Sequence, residues 1–423
     1  MIGSAWRRMI GLALRSLLSL ASIAAAADPA RDRDAWIAAH AVAVASVRPD
    51  DRDFADLAAF GAAIGDRPLV ALGEWSHGDA RTFDLKTRLV EYLHERRGFD
   101  VLFLESGLYD VARIWALAQS GPSVEAQAPD NIFFMYAKSR EGRRLLRYVD
   151  AQRGGDHPLI LAGIDAQHSG GLTLAQMPDA LGAFLTARGS AVPRAAGWAD
   201  YRALVHGLVA FETTVPDPAR QDAFFATAAA LDAKLCVAQA DSFRFPDSPG
   251  WWCRIARSLV AQARDHWQGT SLRDTEMAEN LHWLLEHPYK GHKAILWAHS
   301  AHADRIAPWG SHGPSMGKVL DGYYGERYYV ADITVHDGSF LDYVAGNAVP
   351  VPPVAAGSLE TAFARRGRPL GFVDLAGTHP PKAVTEAPMR SVDYQYLPIT
   401  LANAGVDGLF YIETAAPAVM APL

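Results

Sequence analysis

Cysteine is nearly absent from this chain: Cys236 and Cys253 are its only two. With no C-x-x-C pair, a zinc–thiolate centre is disfavoured. What is left is one pair close in sequence, which in an oxidising compartment is expected to close a loop worth roughly 3 kcal/mol. Basic charge is also short, with 40 Lys and Arg against 47 Asp and Glu. No basic stripe is interleaved with aromatics, so nucleic acid is not an expected partner. There is no repeat of fixed period, no low-complexity tract and no H-E-x-x-H. Gly170 and Gly171 lack the strand–glycine–helix pattern of a phosphate cradle, which disfavours nucleotide binding. The letters G-x-S-x-G occur at Gly313–Gly317, but Pro308 to His312 before them read as loop. A nucleophile elbow needs a buried strand there, so Ser315 is expected to do no more than start a helix.

Among the things present, the first is a leader. Arg7 and Arg8 precede a mostly apolar, small-residue stretch from Ser16 to Ile23, and Ala25-Ala26-Ala27 offers a cleavage site before Asp28. Residues 1–27 are therefore expected to be a signal peptide cut after Ala27, by the general or the twin-arginine route, leaving a periplasmic or secreted protein. An uncleaved amphipathic helix is the alternative. Cleavage removes Arg7, Arg8 and Arg15 and moves the formal charge from −7 to −10 (−7 minus 3). No later run is long and apolar enough to span a bilayer, so no integral membrane association is expected afterwards. Half of the residues are hydrophobic, ample for a large core, and the length of residues 28–423 fits one big α/β unit, the expected domain, or two modest lobes.

Apolar runs alternate with helical patterns. Pro68–Gly73, Asp100–Glu105 and Pro158–Asp165 read as buried strands. Between them, Ala80–Arg97 and Arg140–Gln152 carry apolar residues at helical spacing, and Val111–Ala118 reads as a further helix. Asp34 to Phe60 reads as helix leading into the first strand. After a helical insertion at about residues 178–268, broken at Pro246, Pro249 and Gly250, the strands resume with Lys293–His299 and Tyr328–Ile333. Gly371–Leu375 and Gly408–Ile412 add two candidates, and Val349–Pro353 is a stiff connector. The expected fold is α/β, a mainly parallel sheet flanked by helices with the insertion over the cleft.

Four strand ends carry ionisable groups: Glu74 and His77, Glu105, Asp165, and His299 with His302. In an open α/β sheet the cleft lies outside the carboxyl ends of the strands, so these groups are expected to share one site. Asp165 is the weakest member, since it could simply cap the turn at Gln167 and His168. His77, with Gly73 and Gly78 allowing close backbone approach, is the best general base, oriented by Glu74 or Glu105. His299 and His302 could polarise a carbonyl, act as a second acid or base, or ligate a metal with a glutamate. Trp75 and Trp297 could line a pocket for a bulky apolar ligand or simply pack in the core.

Gly73-Glu74-Trp75-Ser76-His77-Gly78 resembles the G-E-x-x-H-G signature of the erythromycin esterase family. The likeness continues through Phe83–Leu89, Phe103-Leu104-Glu105, Arg273–Leu281, Trp297-Ala298-His299-Ser300-Ala301-His302, Ser315-Met316-Gly317 and Tyr324-Gly325. It implies metal-independent, cofactor-free hydrolysis of a small-molecule ester or lactone, with macrolides and macrolide resistance suggested by the family name. It places the general base on His77, its acidic partners on Glu74 and Glu105, and two further active-site histidines on His299 and His302. A basic position that is arginine in characterised members falls on Lys86, a point charge in place of a planar fork. Arg273 could substitute for it, which makes Lys86, Arg273 and Asp165 the candidate substrate contacts. Two other readings stay open: a metal-dependent hydrolase using His299 and His302, and a non-catalytic ligand-binding envelope protein.

Overall fold

The computed structural model describes residues 28–236, 247–306, 313–390, 399–400 and 405–421. The leader, Pro246 and the whole Pro308–His312 loop lie outside the described residues.

Eleven strands are present among them. They are β1 (Val42–Ala43), β2 (Leu69–Leu72), β3 (Val101–Gly107), β4 (Ile160–Asp165), β5 (Ala294–Trp297), β6 (Tyr328–Asp342), β7 (Asn347–Pro350), β8 (Leu370–Asp374), β9 (Pro388–Met389), β10 (Ile399–Thr400) and β11 (Gly408–Ala415). The main sheet runs β1-β8-β11-β6-β2-β5-β3-β4, with β7 paired to β6. From β11 to β4 every pairing is parallel. β8, β1 and β7 are antiparallel additions, and β9 with β10 forms a separate ribbon.

The central strands read as unbroken apolar runs because both faces are covered. Val70 and Leu72 of β2, Leu102 and Leu104 of β3, and Ile295 and Trp297 of β5 point into one core. Their neighbours Leu69 and Ala71, Val101 and Phe103, and Ala294 and Leu296 point into the other. That is the two-residue alternation of a strand expressed between two apolar layers. The first core is closed by the helices Ala80–Arg97 and Arg140–Gln152, through Phe83, Leu89, Leu145 and Val149.

The second core is closed by the helical segment, which spans Gly171–Ala187, Trp198–Val209, Pro218–Leu235 and Pro249–Gln268. It begins before the expected boundary, with Pro178 inside its first helix. Cys236 and Cys253 form a disulfide between its last two helices. Among the described residues no helix is long and apolar enough to cross a membrane.

One expectation needs correction. The stretch Asp34 to Phe60 is not one helix: Pro29–His40 ends just before β1, and helix resumes only with a 3-10 turn at Ala55–Leu57 and the α-helix Ala58–Ile64. Its middle is a loop of Asx turns at Asp51 and Asp53. That loop wraps the buried Arg88 guanidinium, which donates to Ser46 O, Asp53 O and the Asp56 carboxylate. A tertiary cation, not local propensity, sets that conformation. The run at Gly371–Leu375 is a strand as expected, and it pairs antiparallel to β11.

Candidate active site

The carboxyl ends of β2, β3, β4 and β5 meet around a cavity of about 420 Å³. His77, Glu105, Asp165, Arg273, His299 and His302 all line it. Their convergence follows from parallel pairing: β2 and β3 both flank β5, so the residues after each strand emerge at one edge.

The loop after β2 is built around two glycines. A Cβ on Gly73 would lie 2.7 Å from Asp332 Oδ1 and 2.8 Å from Ser300 Oγ, and one on Gly78 only 1.8 Å from Leu341 O. Asp79 then caps the helix Ala80–Arg97, accepting from Arg81 N–H at 3.0 Å. It also accepts from Thr82 Oγ1 at 2.6 Å and from Trp75 Nε1 at 3.1 Å. Trp75 is thereby fixed in the core, and Trp297 is fully buried. Neither lines the cavity.

Glu74 is fully buried and surrounded by donors. Its Oε1 accepts from His77 Nδ1 at 2.7 Å and from the Tyr136 hydroxyl at 3.1 Å, while Oε2 pairs with Lys86. Burial alone would raise its pKa, but Lys86 and His77 outweigh that and hold the carboxyl below its ordinary value. Lys86 is equally buried, donating to Ala298 O at 3.2 Å with Nζ 4.3 Å from the centre of the Trp297 ring. Burial lowers it to about 8 against the pull of Glu74. Lys86 does not reach the cavity. The expected substrate contact at this position is therefore corrected: its charge is spent behind Glu74.

Glu105 serves the other side of the site. Its Oε2 accepts the His299 backbone N–H at 2.8 Å, and Oε1 lies 3.3 Å from Arg273 Nη2 and 3.4 Å from His302 Nε2. Burial works against the anion, but His302, His77 and Arg273 hold its pKa far below the usual carboxylate range. Of the two glutamates expected to orient His77, Glu74 makes the hydrogen bond.

The three histidines are in three different states. With Nδ1 donating to Glu74, His77 keeps the Nε2 lone pair. His299 is the reverse: its Nδ1 accepts the Ala301 N–H at 3.1 Å, so a neutral ring carries its proton on Nε2. Burial and then His77 push His299 down to about 3. The two rings lie 4.9 Å apart. His302 donates from Nδ1 to Asp274 Oδ1 at 2.8 Å. Burial opposes its charge, but Asp274 and Glu105 prevail and raise it to about 9, so it is an imidazolium at neutral pH.

Arg273 lines the cavity, and its guanidinium is bidentate to Asp165 at 3.0 and 2.6 Å. Asp165 also accepts the Gln167 N–H at 2.9 Å, the turn-capping role open to it from sequence. This donor set suits a divalent cation poorly. His302 is bound to Asp274 and faces a guanidinium, and His299 Nδ1 is occupied. Among the described residues the one convergent group of His, Cys, Asp or Glu ligand atoms is Asp232 with the disulfide-bonded Cys236 and Cys253. Ser315 caps the helix Met316–Tyr324 and donates to Asp304 O at 2.7 Å, as a helix start does.

Several site residues escaped the sequence reading. Asp332 lies under Gly73, pushed up to about 7 by burial despite its bond from Ser300. It lies inside β6, one residue past the Leu72–Ala331 pairing, so the strand-end rule applied to Glu105 and Asp165 passes over it. Asp274, beside Arg273, carried the weaker signal of an acid in a helix's first turn. Tyr136, Phe133 and Tyr343 carried none, because they arrive from short or irregular segments.

The sequence profile of the erythromycin esterase family matches residues 94–414. The chain belongs to the erythromycin esterase family. A Bacillus subtilis (strain 168) protein named "Putative hydrolase YbfO" is 25% identical over 443 aligned positions, covering 95% of each chain. The crystal structure of a Bacillus cereus protein superposes with a TM-score of 0.75 at 19% identity, covering 93% of this chain and 99% of that one. A histidine-to-asparagine mutant of the erythromycin esterase EreC, in its open conformation, gives 0.67 at 18% identity, with 90% and 99% covered. The erythromycin esterase fold is thus present along nearly the whole chain. Family and relative together make the protein a hydrolase.

Proposed function

We propose that the protein is an exported esterase or lactonase that attacks its substrate with water activated by His77, without a covalent intermediate. The observation that carries this reading is the opposed pair of ring nitrogens. The Glu74 hydrogen bond leaves His77 an Nε2 lone pair, while the Ala301 hydrogen bond leaves His299 an Nε2–H. One ring takes a proton from water and the other donates to the carbonyl oxygen as it gains charge. His302, cationic and held by Asp274 and Glu105, stabilises that charge and supplies a proton to the leaving alcohol. Arg273, clamped by Asp165, adds a fixed positive charge on the same wall. Ser315, the one serine in a nucleophile-like motif, is committed to a helix cap.

Activity outside the cytoplasm follows from the leader expected at residues 1–27, and the Cys236–Cys253 disulfide suits an oxidising compartment. The mature N-terminus, sequenced after secretion, is expected at Asp28. Macrolide lactones belong in the substrate panel because of the likeness to EreC. The test is a screen of simple esters and macrocyclic lactones with chelator present and absent. Turnover that survives chelation supports the reading; activity lost with chelator and restored by a divalent metal favours the metallohydrolase instead.

A further inference from the structure

The cavity has two chemically different sides. Arg273, Asp165, Gln167 and His302 make one side polar and charged. Phe133 and Tyr343 line the cavity too, and with Phe134 packed beside them their rings form a closed triangle. Their centroids are 5.1 Å apart for Phe133 and Phe134, and 5.9 Å from Tyr343 to each. Phe133 and Tyr343 also flank the base directly, at 4.8 and 5.4 Å from the His77 ring. Phe134 is 37% exposed, and Val344, next in sequence after Tyr343, 78%.

Both carriers of these rings are tied to catalytic loops. The Phe133 N–H donates to Ser106 Oγ at 3.1 Å, one residue beyond Glu105. The extended end of β6, which delivers Tyr343, is held where Leu341 N–H donates to Gly78 O at 2.9 Å, one residue beyond His77. The missing Cβ of Gly78 is what permits that approach. An apolar surface exposed to water at a rim is costly unless something covers it. Because this one is continuous with the ring of the base, its occupant lies beside the scissile carbonyl.

We propose that Phe133, Phe134 and Tyr343 form a specificity wall that selects esters bearing a ring-sized apolar group next to the scissile carbonyl. This rests on the proposed hydrolysis for its biological meaning, but the wall can be measured without turnover. Tetrahedral phosphonate monoesters mimic the hydrolytic intermediate and need only bind. Ethyl benzylphosphonate and ethyl methylphosphonate share the anionic head and differ by the ring. Calorimetric titration of the full-length mature protein should give at least tenfold tighter binding of the benzyl compound, the order expected for burying one ring. The gap should shrink to threefold or less in Phe134→Ala and in Tyr343→Ser. Phe134 is exposed enough for its variant to keep the fold.

Equal affinity of the wild type for the two phosphonates overturns the wall, as does failure to bind either. A gap that persists unchanged in both variants overturns it too. If the gap appears and disappears as expected while no ester is turned over, the wall stands and the hydrolytic reading falls.

Discussion

Oε1 of Glu74 accepts hydrogen bonds from both His77 Nδ1, at 2.7 Å, and the Tyr136 hydroxyl, at 3.1 Å. A single carboxylate oxygen therefore selects the His77 tautomer while its own position is fixed by a second donor. Oε2 is held independently by Lys86. The base is oriented by a group that has no freedom to turn away.

Glu74→Gln should lower kcat about 10²–10⁴-fold, because an amide can present N–H to His77 Nδ1 and reverse the tautomer. Tyr136→Phe removes only one of two bonds to that oxygen and should cost less than tenfold. Steady-state kinetics on one hydrolysed ester separates the two; comparable losses in both variants would show that the tautomer is not what Glu74 controls.

Lys86→Met should destabilise the fold by about 3–5 kcal/mol, since it strands the buried Glu74 carboxylate without its cation. The double variant with Glu74→Gln should recover part of that loss. Urea midpoints give the comparison. A substrate-contact role for Lys86 would instead raise KM and leave stability alone.

Gly78→Ala should displace the end of β6 from the catalytic loop, because its Cβ would fall 1.8 Å from Leu341 O. A Tm drop of several degrees together with loss of activity is expected. An alanine variant with wild-type Tm would mean the loop and hairpin separate at little cost.

Three histidines set opposite pH limits on stability. His299 and His168 are pushed down to about 3 and about 4 by burial. The unfolded chain binds protons there first, so stability should fall as pH drops below about 6.5. His302 is raised to about 9. Its contribution is complete below the unfolded value and should be lost as pH rises through about 9. A Tm–pH profile should peak between these limits, and kcat/KM should decline on the same alkaline limb. Asp274→Asn should move that limb to lower pH.

Much of this architecture was legible because burial on both sheet faces writes strands as unbroken apolar runs. Ala80–Arg97 and Arg140–Gln152 emerge with the boundaries their apolar spacing implies. The strand-end rule found Glu74, Glu105, Asp165 and His299 since parallel strands bring their ends to one edge. Strand direction was not legible: β8 reads as an apolar run like the parallel strands, and only pairing makes it antiparallel. Depth was not legible either. Lys86 sits on a helix that begins at the site, yet its side chain ends behind Glu74. The aromatic wall comes from a helix of five residues and a hairpin, neither with a periodic signal.

The decisive measurement is kcat/KM of His77→Ala beside wild type, on an ester that the wild type turns over, with Tm recorded for both. A loss of about 10²–10⁴-fold with little change in Tm is expected if His77 is the water-activating base. Wild-type turnover by the alanine variant would mean that the base lies elsewhere.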